Sequence, residues 1–163
     1  MTHITRMSIA IGWAALAIFS WAPAGEKAKP FQNTKDEIKV AELTNAERKK
    51  DDKSALTLSP ALSKIARAHS ENMARQGKME HKLDNKNIFD RIKDAKYEYR
   101  YVGENIAFGD QGIALETIMK LWMDSQSHRK NILYPGFTEI GIGIARAKNG
   151  DWYFTQVFAK PAE

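Results

Sequence analysis

The chain has 163 residues, 43% of them hydrophobic and 28% charged, which suits one globular domain with a buried core and is too short for two. Its net charge of +5 implies solubility and mild attraction to anionic surfaces. The basic run Glu47-Arg48-Lys49-Lys50-Asp51-Asp52-Lys53 is interrupted by acids and reads as a solvated helix end, so no nucleic-acid partner is expected. With no cysteine there is no disulfide framework and no lipid-attachment cysteine, and the core must hold without covalent staples.

Arg6 precedes an apolar run over residues 7–21, and Ala22-Pro23-Ala24 follows. A basic start, a short apolar region and an A-x-A end describe a secretory signal peptide over residues 1–24, cleaved to leave Gly25 at the terminus. The run is shorter than the roughly 20 residues of a spanning helix. A secreted or periplasmic protein without stable membrane insertion is therefore expected. Residues 25–35 read as a linker ahead of a domain over 36–160.

Thr34 with Glu37 predicts a capped helix, with Ile38 and Ala41 at helical spacing, fading near Lys50. Ser59-Pro60 predicts a second start, with Leu62, Ile65, Ala66, His69 and Met73 on one apolar face and Gly77 as C-cap. Residues 87–95 suggest a third helix, and residues 97–108 change to strand-like alternation. Helical spacing returns over residues 113–124, and Pro135-Gly136 breaks the chain.

Ile140, Ile142 and Ile144 alternate with Gly141, Gly143 and Ala145, Asn149-Gly150 marks a hairpin turn, and alternation resumes through Phe158. One face of this hairpin is large and the other small. The expected fold class is α+β: a three-layer α-β-α sandwich with a small antiparallel sheet.

Imidazoles and carboxylates can bind a divalent metal or move protons near neutral pH. On the apolar helix face, His69 reads as a packed histidine donating one hydrogen bond. A loop after the helix end carries His81, and loops present side chains. Placed near a helix end, His128 would be favoured in its protonated form by a partial negative charge there. Asp124, four residues before His128, and Ser125, three before, would face it if the helix persists. Arg129 and Asn131 could satisfy nearby backbone or carboxylate groups. Glu104 lies between Gly103, which allows close backbone approach, and Asn105.

His81, Gly103-Glu104-Asn105-Ile106-Ala107, the word from Trp122 through Leu133, Phe137-Thr138-Glu139-Ile140-Gly141 and Phe154-Thr155-Gln156-Val157-Phe158 occur in a telling order. In that order they resemble the CAP superfamily of cysteine-rich secretory proteins, insect venom antigens and plant pathogenesis-related proteins. The likeness is greatest to small bacterial members without cysteines, and it runs from about Ile38 to Phe158.

The resemblance implies an α-β-α sandwich whose cleft is lined by two histidines and two acids. His81 and His128 match the histidines and Glu104 the first glutamate; Ser125 stands where many eukaryotic members carry the second. Asp124 is one residue away, which turns it about 100° around a helix, so it is no simple substitute. Some members hold a zinc-like divalent cation between the histidines, so His81 and His128 are the candidate metal ligands, with Glu104 as third ligand or as base.

Asn105, Asp124, Ser125 and Arg129 complete the candidate cleft. The expected function is binding of an extracellular ligand or cell-surface component, with a weakly held divalent cation. The alternatives are a metal-assisted hydrolase using Glu104 as base, and a non-catalytic structural or lipid-binding module.

Overall fold

Local capping chemistry opens the helices that frame the molecule. The computed structural model describes residues 30–162; the segment 1–24 read as a signal peptide lies outside the described residues, as do residues 25–29 of the expected linker. Glu37 N donates to Thr34 Oγ1 while Thr34 N donates to Glu37 Oε2, which starts α1 (Lys35–Lys50). A second capping box, Asn87 with Asp90, starts α3 (Ile88–Asp94).

The longest helix, α2 (Pro60–Gln76), begins on Pro60 and ends at Gly77 with φ +63°. Ser59 gives it no side-chain cap; its backbone N–H is instead spent on the Ile140 carbonyl.

Four strands, β1 (Thr57–Leu58), β2 (Tyr99–Gly109), β3 (Glu139–Arg146) and β4 (Trp152–Pro161), form a sheet in the order β1-β3-β4-β2. All neighbours are antiparallel except the two-residue β1, which runs parallel to β3. The β3–β4 turn closes through Gly150 at φ +97°.

The small face of the hairpin receives α2 at backbone contact. A Cβ at Gly143 would lie 2.1 Å from the Ala66 carbonyl carbon, and one at Gly141 2.2 Å from that of Leu62. On the opposite face Ile140, Ile142, Phe154 and Phe158 pack with α1, α4 (Leu115–Asp124) and α5 (Gln126–Leu133) through Val40, Trp122 and Ile132. The result is the expected α-β-α sandwich.

Polar groups stitch its layers without cross-links. Gln156 donates to Thr44 Oγ1 (2.8 Å), Asn105 to Gln156 Oε1 (3.0 Å) and Asn131 to Asn105 Oδ1 (2.8 Å), joining α1, β4, β2 and α5. Arg48 corrects the expectation of a solvated run: it is 1% exposed and donates to the Ser54, Ile132 and Tyr134 carbonyls, tying α1 to the end of α5. Among the described residues no helix is long and apolar enough to cross a membrane.

Candidate ligand-binding cleft

Edge strands expose unpaired carbonyls, and β2 is an edge strand. Two of its carbonyls, on residues of the same parity, are capped from α4 and α5: Trp122 Nε1 donates to Ile106 O (3.0 Å) and Asn131 Nδ2 to Glu104 O (3.2 Å). Gly103 permits this docking, since a Cβ there would come within 2.9 Å of the Phe137 ring. The Gly103–Ala107 and Trp122–Leu133 segments of the sequence resemblance thus meet along one strand edge.

Glu104 points to the α2–α3 side. Its side chain is 2% exposed, and both carboxylate oxygens are engaged: Oε1 by His81 Nδ1 at 2.8 Å and Oε2 by Arg91 Nη2 at 2.5 Å. Arg91 also donates through Nη1 to the His81 and Lys86 carbonyls, so it fixes the His81 loop as well as the carboxylate. His81 Nε2 makes no hydrogen bond among the described residues, and the ring is 56% exposed.

His128 approaches from the other side. It lines a cavity of about 340 Å³ with Ser125, Trp122, Met79, Phe108 and Leu121. Met79, at 48% exposure, Phe108, at 37%, and Leu121, at 50%, leave large apolar surfaces in water around the imidazole. Met79 belongs to the loop that carries His81, which brings that loop to the rim of the His128 cavity.

Two expectations about His128 are corrected by a break in the helix. Ser125 is extended (φ −88°, ψ 121°) and separates α4 from α5. His128 therefore sits in the first turn of α5, where the partial positive charge disfavours its protonated form. Burial lowers its pKa, and repulsion by His81 lowers it further. The same break turns Asp124 away: it pairs with Lys120 at 2.5 Å on the exposed surface. Arg129 donates to the Met123 carbonyl and finishes α4 instead of entering the cleft. Asn105 is wholly buried and holds the cleft from beneath, donating to the His128 carbonyl (3.1 Å).

Beneath Glu104 lies His69, 1% exposed, as its place on the apolar face predicts. Among the described residues neither ring nitrogen meets a hydrogen-bond partner in good geometry, the Glu80 carbonyl being the one acceptor turned toward the ring, and Arg91 Nε is likewise unpaired. Burial lowers the His69 pKa to about 4; the Glu104 carboxylate and Glu80 carbonyl oppose the shift, and the Arg91 and His81 charges add to it.

Among the described residues no group of three His, Cys, Asp or Glu side chains comes together to hold a metal. The donor set available is two imidazoles. His81 is oriented by a carboxylate on its other nitrogen, an arrangement common in metal-bound histidines, and His128 is favoured neutral. That chemistry fits a weak cation site and leaves no free oxygen of Glu104 as third ligand.

Arg91 enters the site without notice in the sequence, and His69, read as a packed histidine, lies buried close by. An arginine in a short polar helix carries no local signal of its partner, whereas a histidine on an otherwise apolar stripe is a usable one.

Residues 41–158 match the model of the cysteine-rich secretory protein family. The chain is 44% identical over 112 residues to the uncharacterized protein YkwD of Bacillus subtilis (strain 168), covering 68% of this chain and 43% of that protein. It spans about two-fifths of the length of the curated relatives it matches.

An extracellular protein containing an SCP domain from Bacillus anthracis str. Ames superposes with a TM-score of 0.67 and 25% identity, over 77% of this chain and 40% of that one. An outer surface protein from Borrelia burgdorferi superposes with a TM-score of 0.72 over 80% of this chain and 97% of its own, and at 21% identity it bears on the fold alone.

Proposed function

The chain belongs to the cysteine-rich secretory protein (CAP) family, and on that premise we propose that it is an extracytoplasmic binding protein whose His81–His128 cleft takes an amphipathic ligand. The observation that carries this reading is the apolar collar of Met79, Phe108 and Leu121 around a half-buried imidazole. Surfaces of this kind gain by covering an apolar group, while the imidazole and Ser125 orient a polar one. Placement outside the cytoplasm rests on the leader-like segment over residues 1–24 and on the likeness to an extracellular relative.

A weakly held divalent cation belongs to the same reading. His81 Nε2 and an unprotonated nitrogen of His128 would hold it, and it would supply Lewis acidity toward an oxygen of the ligand. Glu104 orients His81. As a hydrolytic base it finds less support, because both its oxygens already accept hydrogen bonds and its side chain is buried.

Two titrations of the full chain test this. Zinc calorimetry should give a weak, saturable heat that is lost in His81→Ala and His128→Ala; equal heats in all three proteins remove the cation. Fluorescence of the amphipathic probe 1-anilinonaphthalene-8-sulfonate should rise with the parent protein and fall with Leu121→Ser. An unchanged signal in that variant removes the cleft as the binding site.

A further inference from the structure

Asn131 also borders a second cleft, on the side away from the imidazoles. Its volume is about 380 Å³, and Phe89, Tyr99, Tyr101 and Tyr134 line it together with Arg100 and Lys130. No acidic side chain lines it among the described residues.

Phe89 is 55% and Tyr101 39% exposed, so aromatic surface is left in water. Tyr134 braces this rim, meeting Tyr101 edge-on with centroids 6.0 Å apart and packing on Phe137 at 4.8 Å. The backbone contributes as well. A bulge between Tyr99 and Tyr101 makes Arg100 the extra residue of an edge strand, and its guanidinium stands 5.6 Å from the Tyr101 centroid. Bulges re-aim a side chain at sheet edges, and here one presents a cation beside a ring. Neither Arg100 nor Lys130 forms an ion pair among the described residues, although Arg67, Lys86, Arg91 and Lys120 do.

Exposed rings alone would suit any apolar surface. Rings flanked by unpaired cations, with the nearest acids, Asp90 and Glu98, lining the adjoining hollow and not the cleft itself, select a ligand that carries both apolar faces and negative charge. A sugar ring offers a C–H face to an aromatic side chain, and a uronic acid adds one carboxylate per ring.

We infer that this cleft binds an anionic polysaccharide, with sugar rings against Tyr101 and Phe89 and carboxylates on Arg100 and Lys130. Single-stranded nucleic acid draws on the same residue types. Here, however, the rings meet edge-on instead of forming a run of parallel platforms, and two cations give no track for successive phosphates. The site is distinct from the imidazole cleft and does not depend on a cation there.

Calorimetry of the full chain with an oligogalacturonate tests the inference, with its methyl-esterified form and an oligothymidylate as comparisons. The acid form should bind about tenfold tighter than the ester and weaken as salt is raised. Tyr101→Ala and Lys130→Gln should each weaken it about fivefold or more, while Tyr101→Phe keeps most of the affinity. Lys130 is exposed, so loss in Lys130→Gln with an unchanged melting curve cannot be charged to misfolding. Equal binding of acid and ester, or parental affinity in both Tyr101→Ala and Lys130→Gln, overturns the proposal. Tighter binding of the oligothymidylate, sensitive to the same substitutions, overturns it in favour of nucleic acid.

Discussion

Arg91 Nη2 lies 2.5 Å from Glu104 Oε2, so the carboxylate at the centre of the cleft is neutralised before any ligand arrives. The pair is buried on both sides, with 11% and 2% side-chain exposure. Removing one member of such a pair costs more than the pair itself contributes, because the other charge is left without compensation. Arg91→Ala should therefore lose about 3 kcal/mol in urea denaturation. Adding Glu104→Gln should restore part of that loss, whereas simple addition of the two costs would mean that they do not act as a pair.

His69 gives stability a pH dependence of known sign. Its folded-state pKa, about 4, lies below the 6.5 of a free imidazole, so between those values the unfolded chain holds more protons. The contribution is fully present above pH 6.5 and declines as pH falls toward 4, by on the order of 3 kcal/mol. Urea midpoints at pH 7 and pH 4.5 should separate more in the parent than in His69→Leu. Equal separations would show that this ring is not the source.

Gly143 tests how closely α2 sits on the sheet. A Cβ there would meet backbone atoms of Ala66 and Arg67 at 2.1 Å, and backbone cannot rotate aside. Gly143→Ala should cost about 3 kcal/mol by thermal or urea unfolding. Gly112→Ala has open space, and its cost of about 1 kcal/mol should come only from the positive φ of +83°. Similar losses at the two positions would contradict direct helix–sheet contact.

Much of this architecture is written in local chemistry. Thr34 with Glu37, Pro60 and Gly77 announce helix ends because their partners lie within a few residues. Ile140, Ile142 and Ile144 announce a strand because alternation is also local. Strand β1 goes unread since it is two residues long and pairs with Glu139 and Ile140, far along the chain. Helical spacing is read only over residues 113–124, so α5 goes unread, and because the break at Ser125 carries neither Gly nor Pro the conditional Asp124–His128 pairing misleads. The histidines and Glu104 are legible through a family resemblance. What fixes their state, Arg91 above all, is chosen by tertiary packing.

Trp122 tests the capping of the strand edge. Its ring is buried and its indole N–H satisfies the Ile106 carbonyl. Trp122→Phe preserves an aromatic ring but leaves that carbonyl without a donor, which should cost about 1–3 kcal/mol. Amide exchange along residues 104–107 should accelerate more than elsewhere in the sheet. Uniform acceleration would mean that the loss is one of packing volume, not of the bond.

The run of bonds from Thr44 through Gln156 and Asn105 to Asn131 acts as a key for strand alignment. Sliding β2 by one residue along β4 would turn Asn105 to the opposite face and set an alkyl or acidic neighbour against Gln156. Buried amides on both sides would then lose their partners together, a penalty that grows with each link broken. A chain without cysteines thereby carries a checkpoint that disulfide-bonded folds delegate to oxidation. It can find the same pairing in a reducing or an oxidising compartment, with no enzyme to reshuffle its bonds.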